Sequence, residues 1–420
     1  MFSKLGEELR FFRSQPLGMR MLLLTNLMYG LVVPIIELFI GAYIMRNSSD
    51  LSLVVIFQLA LYTGIPITFG INGWLLKHVP IARLYSFGML LSGISMTAMM
   101  SLPELDTVGV FVAGLIMGLS YGFFWANRDF LALNTTNDRN RNYYYGIETF
   151  FYTTTGIVVP LMAGAFIATT EKGVWLDGNV NLAYYTLTAT VFTLSILASM
   201  LVHKGEFKNP AKAPFVFFKF DKLWNQMLGL AALKGVAQGY IVTAPTMLIL
   251  THIGKEGSLG LIQGVAAAVS AVLLYILGRM TAPEHRLRIY LIACSLFVLG
   301  ALANASMYSA TGVLIFMICL LFARPLLDIA YFPTQLRVID VVAAKEGRNE
   351  FAYIFNHEFG LYAGRLFGCG LFILLARYVS DYVALRYALL VISIVHFFGW
   401  FMMRRVIAYM DKNSTPALNH

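Results

Sequence analysis

The sequence predicts an all-α membrane protein with twelve transmembrane helices in two six-helix, pseudo-symmetric bundles. Three observations predict it: 58% of the residues are hydrophobic and 13% charged, the mean hydropathy is +0.70, and the apolar residues fall in long runs. A bilayer core about 30 Å thick requires a helix of about 20 residues. Because lipid offers no partner to backbone N–H and C=O groups, such runs must be helical. The alternating strands of a membrane β-barrel do not occur in the sequence.

Twelve apolar runs of sufficient length are separated by polar connections. Their predicted bounds are 18–45, 52–76, 84–102, 108–133, 144–169, 182–203, 225–251, 257–278, 289–308, 311–336, 351–376 and 382–403. The longest polar interval, KGEFKNPAKAPFVFFKFDK, follows the sixth run and predicts a linker between two halves. The expected organisation is an interfacial N-terminal segment (1–17), an N-terminal bundle (18–203), a cytoplasmic linker (204–224), a C-terminal bundle (225–408) and a cytoplasmic tail (409–420).

Lys and Arg side chains are distributed unevenly over the connections. With the N-terminus inside, 23 of the 31 fall in cytoplasmic segments and five in outer ones. Positive residues in short loops stay on the cytoplasmic side. We therefore predict that both termini are cytoplasmic, in a bacterial cytoplasmic (inner) membrane. The net charge of +9 follows from this topology, so no nucleic-acid partner is expected.

The residue types that catalysis and metal binding require show no suitable pattern. Cys294, Cys319 and Cys369 all lie in predicted spans, and this odd number of cysteines lacks metal-ligand spacing. The sequence has no P-loop and no nucleophile–base arrangement. We therefore expect no enzyme, no cofactor, no metal site and no direct use of ATP. The expected partners are a small-molecule solute, protons and the lipid bilayer, and the protein is expected to be a monomer.

A short internal repeat links the two halves of the chain. GWLLKHVPIAR runs from Gly73 to Arg83, and GRMTAPEHRLR begins at Gly278 with an offset of 205 residues. Both segments follow the second span of their half. The recurrence predicts that the halves share one architecture.

With twelve spans, a central linker and these basic turns, the chain resembles the major facilitator superfamily over essentially its whole length. Gly73 and Gly278 match the glycine of the family's turn, and Arg286 matches one of its basic residues. In the first copy Lys77 stands at the acidic position, and Arg83 is the nearby basic residue, two positions beyond the one that Arg286 matches in the second copy. The resemblance implies two bundles that give alternating access to a site near the bilayer midplane. It also implies that the first, fourth, seventh and tenth spans line the cavity, and that these turns belong to an inner gate.

The tenth span carries two charges in the stretch FARPLLDIAYF. Arg324 and Asp328 are four residues apart and therefore share a helix face. A charge at the centre of a span costs about 3 kcal/mol, so such residues face a bundle interior or a cavity. One interpretation is an intrahelical pair that lowers the cost of burial. The other is that Arg324 binds an anionic or polar solute while Asp328 holds it or exchanges protons.

Two further spans carry candidate substrate-binding residues. Arg365 has no acidic residue within one helical turn, so its partner must be another helix, a solute or Glu358. Lys234 lies in the seventh span with Gln238 one turn further on the same face. The alternatives are a structural ion pair for Arg365 and a lysine whose charge reaches the interface for Lys234.

Four residues are candidates for proton coupling: Glu37, Asp328, His357 and Glu358. Glu37 lies toward the outer half of the first span, where loss of hydration favours a protonated carboxyl group. An ion pair with a basic residue is the alternative. The stretch FNHEF places His357 beside Glu358, an ionisable pair suited to pH-dependent coupling, although an ordinary polar role is the simpler interpretation.

Further candidate gating residues lie at the inner ends of the fourth and fifth spans. The stretch WANRD contains Asn127, Arg128 and Asp129, and Glu148 lies one turn into the fifth span. Such a cluster is typical of a gate, but also of a solvated helix end.

The function that the sequence favours is secondary active transport of a small polar solute, anionic or zwitterionic, by proton symport. One alternative is an exporter of amphipathic drugs or lipids, in which the charges form gate bridges only. A second alternative is a membrane sensor or assembly partner that does not transport.

Overall fold

The computed structural model describes residues 10–136, 140–209, 216–280 and 282–413. Within these ranges the chain forms helices joined by short connections, without strands. In chain order the helices are α1 (Leu17–Asn47), α2 (Ser52–Leu75), α3 (Ile81–Met100), α4 (Thr107–Thr135), α5 (Arg141–Glu171), α6 (Val180–Val202), α7 (Lys222–Ile241), α8 (Ala244–His252), α9 (Glu256–Met280), α10 (Arg286–Met307), α11 (Ala310–Glu346), α12 (Glu350–Tyr378), α13 (Asp381–Phe397) and α14 (Gly399–Asn413).

The predicted all-α membrane fold class is confirmed. Among the described residues, 11 helical stretches are long and apolar enough to span a membrane. They coincide with all of the predicted spans except 84–102. A helix forms there as well, since α3 has 20 residues, but Arg83, Tyr85 and several serines lower its hydropathy.

Some predicted segments lie partly outside the described residues. The interfacial segment 1–17 is described only from Arg10, the linker 204–224 only up to residue 209 and from residue 216, and the tail 409–420 only to Asn413.

Three predicted spans differ in their bounds from the helices observed. The seventh is interrupted at Val242 and Thr243, between α7 and α8. The twelfth is interrupted at Phe398, between α13 and α14. The tenth extends to Glu346 as the 37-residue helix α11, which contains Pro325 and Pro333. Hydropathy alone predicts none of these features, because it measures neither backbone hydrogen bonding nor continuation of a helix into water.

The break in the seventh span has a local cause in Pro245. Proline has no N–H group to donate to the carbonyl four residues earlier, which here belongs to Ile241. That carbonyl oxygen instead accepts a hydrogen bond from Nη2 of Arg324, at 2.7 Å. The backbone N–H group of Thr243 donates to the carbonyl of Tyr240, three residues earlier instead of four, at 3.1 Å.

Two further carbonyls before the break are satisfied by side chains. The carbonyl of Gln238 accepts from the hydroxyl of Tyr62, at 3.0 Å. The carbonyl of Gly239 accepts from the thiol of Cys369, at 2.8 Å. A buried carbonyl without a partner is costly, so these bonds make the interruption tolerable within an apolar span.

The chain forms two compact units. The first comprises Met1–Ile40 and Thr63–Lys212, and the second comprises Gly41–Tyr62 and Ala213–His420. The end of α1 and the start of α2 therefore pack with the C-terminal helices. In this second unit, Arg46 forms a bidentate ion pair with Glu256, with bonds of 2.6 and 2.7 Å.

In the first unit, α2 and α4 approach through glycines. A Cβ atom on Gly64 would lie 2.6 Å from the backbone of Gly118, and one on Gly122 would lie 2.5 Å from Cβ of Thr68. Only hydrogen fits at these positions, as in other small-residue interfaces of membrane helices.

In the second unit, α7 and α12 make a similar contact. A Cβ atom on Gly364 would overlap the backbone of Ala232, and one on Gly239 would lie 2.7 Å from the carbonyl oxygen of Arg365. This close approach places the side chain of Arg365 beside α7.

We predict that Gly364→Ala lowers the stability of the protein, because the added methyl group forces α7 and α12 apart. Overpacking of this kind costs about 1–3 kcal/mol, which thermal unfolding of the detergent-purified protein will detect. Gly370→Ala is the matched control, since no atom lies within 4 Å of its Cβ position. If both variants unfold at the wild-type temperature, the α7–α12 contact is not tightly packed.

We also predict that Arg324→Ala lowers stability, by about 1.5–3 kcal/mol for the loss of a charged donor. The same substitution should cost less in a Pro245→Ala background, where residue 245 has an N–H group for the carbonyl of Ile241. Unfolding of the two single variants and the double variant measures this coupling. Equal losses in both backgrounds would show that Arg324 stabilises the protein through another contact.

Candidate functional site

The second unit contains a cavity of about 200 Å³ at the break in the seventh span. Side chains of α7, α10, α11 and α13 line it. Four of the five predicted substrate-binding residues are among them: Lys234, Gln238, Arg324 and Asp328. The sequence placed these residues on two separate spans, and the fold brings them to one cavity.

A larger depression of about 710 Å³ runs along α14. Its lining includes the exposed aromatic rings of Phe398 and Phe401, together with Arg404 and Arg405. Its lining residues are too exposed and apolar to enclose a polar solute, so the smaller cavity is the candidate site.

Lys234 is the most deeply buried charge in the cavity lining, with 8% of its surface exposed. Its Nζ atom lies 4.0 Å from the ring centre of Tyr331 and 3.7 Å from that of Phe332. The same atom is 3.5 Å from Oδ1 of Asp328, a long ion pair. Aromatic faces stabilise a cation, so the ammonium group does not depend on a tight contact with the carboxylate.

The two charges of the tenth span both have partners on the seventh. Arg324 donates to the carbonyl of Ile241, and Asp328 accepts from Lys234. The side chain of Asp328 is 48% exposed. Both residues are accessible. Arg324 nevertheless braces the helix break through a short bond, whereas Asp328 is held only by a long contact.

Arg365 lies beside the cavity and bridges two helices. Its Nε and Nη2 atoms donate to Oε1 of Gln238, at 3.2 and 3.0 Å. Its Nη1 atom lies 3.2 Å from Oε2 of Glu358, and its guanidinium carbon is 4.5 Å from the ring centre of Tyr62. Glu358 is thus the acidic partner, and Arg365 orients the amide of Gln238.

The candidate proton-coupling residues occupy different environments. His357 is buried, with Nε2 2.6 Å from the hydroxyl oxygen of Tyr331. Glu358 is engaged with Arg365, and Asp328 lies at the cavity. Glu37 is an exposed residue of α1 in the first unit. Their role in coupling remains a prediction.

The first unit contains a separate polar cluster built around Glu148, which is 1% exposed. Arg128 forms a bidentate ion pair with it and also bonds Asp129, at 2.7 Å. Glu148 accepts further bonds from Asn26, at 2.6 Å, and from the hydroxyl of Tyr144, at 2.9 Å. The cluster joins α1, α4 and α5 within this unit.

Asn127 lies in the same unit but has its own partner. Its amide exchanges hydrogen bonds with that of Asn72, at 2.9 and 3.1 Å. This reciprocal pair ties α4 to α2, one residue before Gly73.

The remaining candidate gating residues lie at the two repeated turns. Gly73 lies near the end of α2, and Arg83 is exposed in the first turn of α3. Gly278 lies in the last turn of α9, and Arg286 begins α10.

The turn after α2 is held by the start of the linker. Asn209 donates to the carbonyls of Leu76 and Val79, at 2.8 and 2.9 Å, and accepts from the N–H group of Ile81, at 2.7 Å.

Sequence reasoning missed several residues of the cavity region. Tyr331 follows Asp328 by three positions on the same helix face, a spacing that was visible in the sequence. His396 is an ionisable ring within the apolar stretch VISIVHFFG, which is also a visible signal. Tyr62 and Tyr290 carry no such signal, because tyrosines are frequent throughout this chain.

We predict that Arg128→Met strongly destabilises the first unit, because Glu148 would be left buried without its counter-charge. Breaking a buried pair in this way costs about 3–5 kcal/mol. Adding Glu148→Gln should recover much of the loss, since the amide needs no counter-charge. Thermal unfolding and folded yield in detergent measure both effects. A single Arg128→Met variant as stable as the wild type would contradict the importance of this pair.

Curated relatives match the chain at low identity. "Uncharacterized protein YqgE" of Bacillus subtilis (strain 168) is 23% identical over 386 residues, covering 90% of this chain and 87% of that protein. "Protein TsgA homolog" of Enterobacter sp. (strain 638) is 25% identical over 134 residues, covering 31% and 33% of the two chains.

Solved transporter structures share the fold. The nucleoside transporter NupG has a TM-score of 0.67 at 12% identity and covers 94% of this chain and 98% of its own. A peptide transporter POT has a TM-score of 0.70 at 12% identity, covering 94% and 95%. A bacterial homologue of the iron transporter ferroportin has a TM-score of 0.65 at 15% identity, covering 91% and 98%. Since these proteins carry different solutes, the shared fold does not identify the solute of this chain.

The family model of the Major Facilitator Superfamily matches residues 19–357. This range contains most of the chain, including the helix break, the tenth span and the repeated turns. The family match indicates a secondary transporter of small molecules rather than an enzyme, and the solved structures above share its fold. The chain is an integral membrane protein that belongs to the major facilitator superfamily.

Proposed function

We propose that the protein moves a small anionic or zwitterionic solute across the membrane by alternating access, in symport with protons. The observation that carries this proposal is the cavity of about 200 Å³ lined by Lys234, Gln238, Arg324 and Asp328. We further propose that it functions as a monomer in a bacterial inner membrane, with both termini cytoplasmic, as the distribution of Lys and Arg predicts.

The charges of the cavity favour a solute with a negative group. Two cations, Lys234 and Arg324, and one carboxylate, Asp328, line it. The excess of positive charge attracts an anion, and the attraction is stronger inside a protein than in water. The guanidinium of Arg324 already donates a short bond to the carbonyl of Ile241. Among the described residues, the ammonium of Lys234 has only the long ion-pair contact with Asp328, so it gains more from a carboxylate of the solute.

The long distance between Lys234 and Asp328 supports coupling to protons. At 3.5 Å the two groups attract each other less than in a close pair. A solute carboxylate that approaches Lys234 competes for the ammonium, and Asp328 then gains from binding a proton. The solute anion and the proton would thus enter together, and the charge of the occupied site would equal that of the empty one.

The interruption of the seventh span supports the proposal that this helix changes conformation during transport. Broken helices at solute sites are a recurrent feature of transporters, because they expose polar backbone to the cavity. Here the break at Val242 and Thr243 lies directly at the cavity, and Val242 lines it.

We predict that Lys234→Met and Asp328→Asn have different effects on transport. The purified protein is reconstituted into liposomes with an imposed pH gradient, and uptake of small organic acids and amino acids is measured together with internal pH. Lys234→Met should lose both uptake and exchange of solute, because it removes the anion site. Asp328→Asn should retain exchange of solute across the membrane but lose accumulation driven by the proton gradient.

Lys345→Met is the matched control for Lys234→Met. Lys345 also pairs with an aspartate of the second unit, Asp221, at 2.6 Å, but its side chain is 62% exposed at the end of α11. Partial burial acts to raise the pKa of Asp221, yet its bonds from Lys345 and from the N–H group of Leu223 hold that pKa below its ordinary value. The control should transport as the wild type does.

Three results would contradict the proposal. Wild-type accumulation by Asp328→Asn would exclude this residue as the proton carrier. Unchanged uptake by Lys234→Met would exclude the cavity as the anion site. Uptake of amphipathic cations or lipids, with no response to acids, would favour an exporter.

A further inference from the structure

Two polar groups of the cavity lining have no hydrogen-bond partner among the described residues: the hydroxyl of Tyr290 and Nε2 of His396. Both side chains are buried, at 0% and 1% exposure. Their ring centres are 6.0 Å apart. Buried polar groups in membrane proteins are normally satisfied, so a pair left open at one cavity points to a ligand.

The hydrogen bond of the other ring nitrogen determines what His396 offers. Nδ1 lies 2.9 Å from the carbonyl oxygen of Leu233. A carbonyl oxygen can only accept, so Nδ1 must carry the proton, and in the neutral ring Nε2 is an acceptor. A ligand at this wall must therefore present a donor to Nε2.

The hydroxyl of Tyr290 can both donate and accept. A Cβ atom on Gly399 would lie 2.6 Å from it, so this glycine allows the start of α14 to approach the hydroxyl closely. A ligand hydroxyl would suit both groups, since it can donate to Nε2 of His396 while it accepts from Tyr290.

We propose that Tyr290 and His396 form a subsite for the hydroxyl group of a small hydroxycarboxylate whose carboxylate is bound by Lys234. This inference rests on the proposed function and names the solute class. An ammonium group fits this wall less well than a hydroxyl, because the cavity is already lined by Lys234 and Arg324 and because an ammonium group cannot accept from Tyr290.

The size of the cavity sets the size of the ligand. A volume of about 200 Å³ corresponds to roughly six or seven water molecules at about 30 Å³ each. Small acids such as lactate and glycerate fit within this volume.

The test measures equilibrium binding of ¹⁴C-labelled L-lactate and propionate, which differ by one hydroxyl group, to the full-length protein in lipid nanodiscs. The wild type should bind lactate roughly three- to tenfold more tightly than propionate, as expected for one added hydrogen-bonding group. Tyr290→Phe and His396→Asn should each bring this ratio close to one by weakening the binding of lactate. His396→Asn retains an N–H donor for the carbonyl of Leu233, so the fold is kept while Nε2 is removed.

Tyr240→Phe is the matched control. Its hydroxyl is equally buried and likewise without a partner among the described residues, but it does not line the cavity. The control should keep the wild-type preference for lactate.

Three results would overturn the inference: equal wild-type binding of the two acids, no binding of either acid, or a preference that both cavity variants retain. A loss of preference in Tyr240→Phe as large as in the cavity variants would overturn it as well. Because binding is measured at equilibrium, a failure of transport in liposomes would contradict the proposed function without affecting this result.

Discussion

The hydrogen bonding of the backbone around the break in the seventh span is the constraint on which the site depends. Within hydrocarbon a carbonyl without a donor is costly, and Pro245 removes the donor that Ile241 would have in a continuous helix. Side chains of Tyr62, Cys369 and Arg324, from three other helices, supply bonds at this point. The break therefore exists only when α7 is packed against its neighbours.

That packing in turn requires glycine. The α7–α12 contact is so close at Gly235, Gly239 and Gly364 that a methyl group does not fit without displacement. As a result Arg365 reaches both Gln238 on α7 and Glu358 on its own helix. One small-residue interface thus determines the geometry of the charged network and of the cavity wall.

The buried charges of the two units are paired to different extents. In the first, Glu148 receives bonds from Arg128, Asn26 and Tyr144, an arrangement that stabilises the unit. In the second, Lys234 lies against aromatic faces, and its only carboxylate contact among the described residues is the long one with Asp328. A well-satisfied cluster is costly to rearrange, whereas a loosely paired lysine at a cavity can exchange one partner for another. This difference is why we propose that the solute binds in the second unit.

The sequence by itself determined the fold class, eleven of the spans and the positions of the intramembrane charges, because hydropathy and helical spacing are properties of short segments. It also identified Arg324, Asp328, Lys234 and Gln238 as candidate substrate-binding residues, since a charged or polar side chain is costly in lipid. Only the tertiary structure decided that these four line one cavity, that Arg324 serves a carbonyl 83 residues away, and that His396 and Tyr290 join them. Such contacts depend on how helices pack, and packing depends on shape and on backbone groups that a residue pattern does not record.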